Sequence, residues 1–291
     1  MSKISSKTRS AILLFQKNEI TEHFIYRELA GWRKNENNRE VLYSISQDEL
    51  RHYHIWKGYT GVEVAPDKLK IWFYLFIARV FGLTFSLKLM ESGEDRAQAV
   101  YENFISEIAE AEKIKSDETR HENELLGMID EEKLKYIGSV VLGLNDALVE
   151  LTGTLAGLTF ALQNSKLVGM AGLITGIAAS LSMAASEYLS TKTEGGEKNP
   201  LKASLYTGIT YVGAVSVLIL PYLLLPNPFW ALGLALLGAS LLIFVFTFYF
   251  SVVREVPFKQ RFLEMISISL GVAFLSFIIG LLVRQFLGVE I

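Results

Sequence analysis

The chain has 291 residues, about twice the length of a typical domain, so its length predicts two units. It is 51% hydrophobic and carries a formal net charge of −3, which offers no basic surface for nucleic acid. It has no cysteine, which excludes disulfides, iron–sulfur clusters, cysteine zinc sites and a thiolate nucleophile. Any metal must therefore be held by carboxylate, imidazole or thioether groups.

The N-terminal half is rich in charged residues, and its apolar residues follow helical spacing. Its start, MSKISSKTRSAILLFQKNE, is basic and only briefly apolar, which favours the beginning of a helix over a signal peptide. Four helices are predicted in this half: 7–33, 36–58, a third from Lys68 past Glu94, and a fourth that contains Glu118 and ends near Gly127.

Residues 71–90, IWFYLFIARVFGLTFSLKLM, are about as long as a membrane span but include Arg79 and Lys88. A spanning helix would put the two glutamate–histidine pairs described next on opposite sides of the membrane. We therefore interpret the stretch as a soluble helix, buried on most faces by its own bundle or by a partner. A helix lying along the membrane surface is the alternative.

The motif Glu-x-x-His occurs twice, as Glu49 and His52 in QDELRHYH and as Glu118 and His121 in SDETRHENELL. Three residues make about one helical turn, so both members of a pair project from one face. Four-helix di-iron proteins take such a pair from each of two helices and glutamates from the other two. The candidate ligands of a pair of Fe(II) or Mn(II) ions are Glu19, Glu49, His52, Glu91, Glu94, Glu118 and His121, with Glu22 as the alternative to Glu19.

The positions of these residues test the arrangement. Glu19 and Glu49 are equally far from position 34, inside the predicted break RKNENNR, as expected for facing residues of an antiparallel hairpin. Glu94 and Glu118 would need a turn near 102–110, where no Gly or Pro marks one. In a straight helix they would lie about 36 Å apart. Either an unmarked turn exists, or a partner chain completes the site by exchanging helices.

Residues 10–130 resemble the rubrerythrin branch of the ferritin-like family. NEITEHFIYRELA is similar to the family's first helix, in which a metal glutamate, here Glu19, precedes a tyrosine, here Tyr26, by seven residues. The resemblance implies a four-helix bundle with a seven-ligand di-iron site. Rubrerythrins usually carry a cysteine-rich iron module that feeds electrons, and this chain has no cysteine.

From Tyr136 onward the sequence is dominated by apolar runs, each long enough to cross about 30 Å of hydrocarbon as a helix. Five transmembrane helices are predicted, at 136–162, 167–190, 204–225, 229–253 and 262–283. The loops after the second and fourth runs carry three basic residues each, whereas the alternate loops carry one lysine between them. This asymmetry predicts a cytoplasmic N-terminal domain.

Ionisable side chains within these runs are candidates for a transport path because a charge at membrane depth is costly. The first run contains Asn145, Asp146 and Glu150, and the second contains Met183 and Glu187. Asp146 and Glu150 are four residues apart, as are Met183 and Glu187, so each pair shares a helix face. Carboxylates with one thioether suit Fe(II) or Mn(II), and they would take up protons once the ion leaves.

GLNDALVELTGTLAGLTFAL and SLSMAASEYLSTKTE resemble the first two helices of the vacuolar iron transporter family, and the resemblance extends over 136–287. It implies a dimer that exchanges divalent metal for protons along these two helices. Ala147 replaces the usual glycine of the family's NDG-like motif, and the loop TKTEGGEKNPLKA is too short for the metal-binding insert of plant members. The combination of both units is similar to the membrane-bound ferritin proteins of prokaryotes.

We therefore predict an all-α protein with a ferritin-like four-helix bundle in residues 1–133 and a five-helix transmembrane domain in residues 134–291. The predicted function is export of divalent iron or manganese from the cytosol in exchange for protons, after the bundle captures or oxidises Fe(II). A membrane-anchored di-iron ferroxidase or peroxidase is the alternative, and a metal sensor without transport is a third. The expected partners are the metal ion, protons, the inner cell membrane and a second copy of the chain, but not nucleic acid.

Overall fold

The chain is all-helical over the residues that the structure, a computed structural model, describes: 6–33, 35–90, 108–128, 135–196 and 198–287. The prediction of an all-α protein is confirmed. The chain divides into two compact units, Met1–Asp130 and Glu131–Ile291.

The N-terminal unit begins with an antiparallel hairpin of α1 (Ser6–Gly31) and α2 (Glu36–Thr60). The Asn35 side chain caps α2 by accepting a hydrogen bond from the backbone of Asn38, which satisfies one free N–H of the first turn. Gly61 ends the helix with φ +65°, a conformation that glycine adopts without steric cost.

The prediction of one continuous third helix is wrong, because the chain bends at Gly82, where φ is +94°. Helix α3 (Lys68–Val80) ends there, and the described part of α4 covers residues 83–90. The Ser86 hydroxyl donates to the Tyr74 carbonyl at 3.1 Å, whereas a straight helix would separate these residues by about 18 Å. The chain therefore turns back after α3, and α3, with 13 residues, is too short to span a membrane.

Helix α3 packs alongside α1, and α5 (Ala109–Gly127) packs against α2. Two large aromatic side chains of the hairpin, Trp56 and Tyr26, are each 2% exposed. The unmarked turn predicted near 102–110 falls largely on residues outside the described ranges. The buried apolar residues of this unit include Ile12, Ile25, Leu29, Leu42, Ile45, Leu87, Met90, Ile114 and Leu125.

The C-terminal unit consists of five long apolar helices, which confirms the five predicted spans to within a few residues at most ends. They are α6 (Ile137–Leu162), α7 (Ser165–Glu194), α8 (Pro200–Leu224), α9 (Pro228–Arg254) and α10 (Phe258–Leu287).

Short polar connections set where these helices begin. The side chains of Asn164, Asn199 and Asn227 each accept a hydrogen bond from the first turn of the following helix. Pro200 and Pro228 occupy the first helical position, where a backbone N–H would have no acceptor within the helix, so its absence in proline costs no hydrogen bond.

Helix α6 lies at the centre of this unit and contacts the other four helices. Small residues allow these close helix contacts. Apolar side chains gain little free energy by moving from lipid to protein, so the helices associate through close packing of their backbones. A Cβ on Gly143 would lie 2.4 Å from the Thr207 carbonyl oxygen, and one on Gly280 would lie 2.2 Å from that of Gly157. Helices α8 and α10 therefore touch α6 backbone to backbone.

Candidate metal centre

Five of the seven predicted ligands converge in the N-terminal unit, all from one chain. Glu19 lies on α1, Glu49 and His52 lie on α2, and Glu118 and His121 lie on α5. Four of them are nearly inaccessible to solvent: Glu19 is 6% exposed, Glu49 2%, His52 0% and His121 3%. Such burial of acidic side chains is rare unless they are paired or bind metal.

Three carboxylates surround one ring nitrogen of His52. Its Nδ1 atom lies 3.1 Å from Glu118 Oε1, 3.5 Å from Glu19 Oε2 and 3.7 Å from Glu49 Oε2. One ligand atom from each of these four residues lies within 4.8 Å of the other three. Three carboxylate oxygens and one imidazole nitrogen suit Fe(II) or Mn(II).

The second histidine faces the other oxygens of two of the same carboxylates. His121 Nδ1 lies 3.2 Å from Glu49 Oε1 and 3.6 Å from Glu118 Oε2, and the two imidazole centroids are 5.9 Å apart. Glu49 and Glu118 thus each offer one oxygen to the side of each histidine.

The cluster leaves buried polar atoms without a hydrogen-bond partner among the described residues. They are Glu19 Oε2, Glu49 Oε2, His52 Nδ1 and His121 Nδ1. Buried polar atoms are nearly always paired. Glu19, Glu49 and His52 belong to the four-residue group, and His121 Nδ1 faces Glu49 and Glu118. A bound cation would supply a partner for such atoms.

The Nε2 atom of each imidazole, on the side away from the glutamates, contacts an aspartate of the other helix. Asp117 Oδ2 lies 3.2 Å from His52 Nε2, and Asp48 Oδ2 lies 3.1 Å from His121 Nε2. A carboxylate at this position fixes the ring and its tautomer, so that the other nitrogen faces the ligand site. Asp117 in turn accepts a hydrogen bond from Arg51 at 2.8 Å.

These two aspartates were not among the predicted site residues, although the sequence repeat that contains them is visible. The full repeated motif is Asp-Glu-x-Arg-His, at 48–52 and again at 117–121. In each copy the arginine contacts both aspartates. The aspartates and arginines therefore form an ionic layer directly behind the two histidines, and the two copies of the motif contribute to it in the same way.

Trp56 orients the carboxylate of the remaining glutamate, Glu19. Its indole Nε1 donates to Glu19 Oε1 at 2.9 Å, which directs the other carboxylate oxygen of Glu19 toward His52. Trp56 lies four residues after His52, so both side chains face the same side of α2. The sequence gives no reason to single out this tryptophan before α1 and α2 are paired.

Glu22, the alternative to Glu19, lies outside the cluster and pairs with Lys70 Nζ at 3.2 Å. Burial raises the pKa of Glu22 to about 7, and Lys70 opposes this shift. His23 binds the backbone carbonyl and hydroxyl of Ser46, and His54 is exposed. The other two predicted ligands, Glu91 and Glu94, lie outside the described residues.

The pKa values of Glu19 and of both histidines are raised in the cluster. Burial raises the pKa of Glu19 well above its usual value, and neighbouring carboxylates add to the shift. Burial alone would lower the pKa of His121, but Glu118 and Glu49 outweigh it and raise the pKa to about 10. The pKa of His52 is raised for the same reason. Divalent ions would displace these imidazole protons.

In the C-terminal unit, the candidate path residues of α6 lie at its surface. Asn145 and Asp146 are half-buried, and Glu150 is exposed. The Tyr211 hydroxyl of α8 donates to Glu150 Oε2 at 2.9 Å. Asp146 is nine residues from the start of α6, which places it about 14 Å along the helix.

The candidate path residues of α7 are also half-buried. Met183 packs against the apolar core, and Glu187 accepts a hydrogen bond from the Ser139 hydroxyl of α6. Among the described residues, Asp146, Glu150 and Glu187 do not form a group with metal-ligand spacing. In the described part of the chain, the N-terminal cluster is the only group of acidic and histidine side chains with metal-ligand spacing.

The helices and their composition define a multi-pass membrane protein, and its N-terminal unit carries a cluster that could bind a metal ion. Residues 137–196 match the family model described as the VIT family, the vacuolar iron transporters. This match covers α6 and α7, the two helices that carry all five candidate path residues. No curated protein and no solved structure gave a significant match to the chain.

Proposed function

We propose that this protein moves divalent iron or manganese across a membrane. The observation that carries the proposal is the VIT family match to α6 and α7, where acidic side chains lie within apolar spans. Asp146, Glu150 and Glu187 are costly at membrane depth unless they serve an ion or a proton. They would bind the cation while ionised and take up protons after its release, which makes metal–proton exchange the proposed coupling.

The N-terminal unit, in this proposal, is a ferritin-like bundle that binds two ions before transport. Glu19, Glu49, Glu118 and His52 would hold one ion, and His121 with the other oxygens of Glu49 and Glu118 would hold the second. Bound Fe(II) can give up an electron to oxygen or peroxide, so such a centre could oxidise iron as well as capture it. The chain's own contribution is to exclude water and to hold both imidazole rings in place through Asp117 and Asp48.

The proposed transporter is a homodimer in the inner membrane with its N-terminal unit in the cytoplasm. The basic loops after α7 and α9 support this orientation, and with it export from the cytosol. Glu150 supports the dimer, because it is exposed on one chain at membrane depth, where contact with lipid would be unfavourable. A second copy, or a water-filled path between copies, would cover it.

Flux measurements in proteoliposomes test the transport proposal. Asp146→Asn and Glu150→Gln should each reduce uptake of Mn(II) or Fe(II) at least tenfold, because the path loses a negative charge. The matched control is Glu194→Gln at the end of α7, where the side chain is exposed and accepts a hydrogen bond from nearby Ser190. Unchanged flux in both path variants would overturn the proposal.

A membrane-anchored di-iron ferroxidase or peroxidase is the second candidate. The buried cluster of unpaired ligand atoms favours it, because pure capture does not require two bridging carboxylates. Oxygen or peroxide consumption on adding Fe(II) distinguishes the two candidates. An enzyme would lose consumption in Glu49→Ala and keep it in Asp146→Asn, and the whole protein would show no flux.

A further inference from the structure

Helix α3 presents an exposed apolar surface. Five large hydrophobic side chains form it, and we call them the α3 stripe. Their exposed fractions are large for apolar residues of a folded unit. They are Leu69 at 81%, Trp72 at 64%, Phe73 at 44%, Phe76 at 47% and Val80 at 56%.

The α3 stripe follows the helical period. At 100° per residue its members fall within an arc of about 100°. The opposite face of α3 is covered by the rest of the N-terminal unit, since Tyr74, Ile77 and Ala78 are buried. This corrects one of the two expected forms of burial: α3 has two apolar faces, and its own bundle covers only one of them.

Cations flank the stripe. Lys68 and Arg79 are exposed, and both project along the edge next to Trp72. Neither side chain forms an ion pair with any described residue. Asp67, the acidic residue at the start of α3, is already paired with Lys17 at 2.8 Å. The free charge along this edge is therefore positive.

We propose that the α3 stripe lies on the surface of the lipid bilayer, with Lys68 and Arg79 against anionic headgroups. A helix with Trp, Phe and Leu on one face and Lys or Arg beside them is the pattern of interfacial helices. Tryptophan favours the boundary between headgroups and hydrocarbon. With 13 residues, α3 is too short to cross the bilayer, so it lies in the plane of the interface.

The chain itself tethers the N-terminal unit to lipid. Five apolar helices anchor the same polypeptide from Ile137 onward, so the bilayer is present at a high effective concentration. A second copy fits the stripe less well. In an antiparallel two-fold pairing of α3 with itself, Lys68 of one copy would lie beside Arg79 of the other, and like charges repel.

Site-directed spin labelling of the full-length protein in lipid nanodiscs tests the proposal. Because the chain has no cysteine, Phe76→Cys and Leu69→Cys each place one nitroxide on the stripe. With phosphatidylglycerol present, both labels should be accessible to oxygen and shielded from a water-soluble nickel chelate. Tyr43→Cys is the matched control, because this aromatic residue of α2 is 54% exposed and should give a water-accessible label.

Charge reversal tests the headgroup contact. Lys68→Glu combined with Arg79→Glu should raise nickel accessibility at position 76 at least threefold in anionic nanodiscs. Unchanged Mn(II) binding by the N-terminal cluster shows that this variant is folded. Nickel accessibility at position 76 equal to that at position 43 would overturn the proposal in favour of a solvated stripe. Shielding from both reagents, with spin–spin broadening that unlabelled protein removes, would overturn it in favour of a second copy.

Discussion

His52 on α2 is held by Asp117 on α5, with 3.2 Å between Nε2 and Oδ2. Glu118, the residue after Asp117, faces the other nitrogen of the same ring at 3.1 Å. Two adjacent residues of α5 therefore contact the two ring nitrogens of His52. The pairing makes the orientation of His52 depend on the packing of α5 against α2.

Removing this aspartate should weaken metal binding without removing a ligand. Asp117→Ala frees the His52 ring to rotate and lowers its basicity, so the affinity for Mn(II) should fall about 10- to 100-fold. Mn(II) titration followed by EPR of the free ion measures this. Glu122→Ala on the exposed side of α5 is the control and should bind as the unaltered protein does. Equal affinities in both variants would contradict the role of Asp117.

The position of Glu49 between the two histidines, where we propose that it bridges two ions, predicts a difference in stoichiometry between two glutamate variants. Glu49 faces both histidines, whereas Glu19 contacts His52 and no described contact joins it to His121. Glu49→Ala should therefore leave at most one weakly bound ion, whereas Glu19→Ala should keep one of two. Metal analysis after gel filtration gives the ratio of metal to protein. Two ions retained in Glu49→Ala would rule out shared bridging.

Much of the cluster was predictable because its residues repeat a local pattern. Glu-x-x-His fixes two ligands on one helix face by covalent spacing alone, so both pairs could be found before any helix packing was known. Asp117 and Trp56 act across helices. Their roles depend on how α5 and α1 approach α2, and spacing within one helix carries no such information.

The bend at Gly82 shows a different limit of predicting helices from sequence. The apolar period of residues 71–90 continues through the turn, because both α3 and α4 bury a face against the same core. A single glycine in a helical pattern is weak evidence for a break. In the C-terminal half, by contrast, length and hydropathy sufficed, since a helix must be long and apolar to span lipid.

The raised histidine pKa values predict that metal binding releases protons. In the metal-free cluster, burial opposes protonation of His121, but the carboxylates outweigh it and bring the pKa to about 10. The imidazolium therefore stabilises the metal-free fold below the ordinary pKa of about 6.5, and this contribution is lost as the pH rises toward about 10. A cation competes with the same proton, so its affinity should change in the opposite direction.

The apparent Mn(II) affinity should accordingly rise with pH, by up to about tenfold per unit for each proton displaced. Calorimetry in buffers with different ionisation enthalpies counts the released protons. His54→Ala should leave the count unchanged, because His54 is exposed and outside the cluster. His121→Ala should lower it by about one. A proton count of zero in the unaltered protein would refute the assignment of His52 and His121 as ligands.

The contact between α6 and α10 predicts a steric effect at one glycine. A Cβ on Gly280 would lie 2.2 Å from the Gly157 carbonyl oxygen, and backbone cannot rotate away as a side chain can. Gly280→Ala should therefore force the helices apart and destabilise the unit by about 1–3 kcal/mol, even though alanine favours a helix. Gly271→Ala on the same helix is the control, because no heavy atom other than local backbone lies within 4 Å of a Cβ there. Thermal unfolding in detergent, followed by gel filtration, should give a lower midpoint for Gly280→Ala and an unchanged or higher one for Gly271→Ala. Equal midpoints would mean that α6 and α10 do not touch at Gly157.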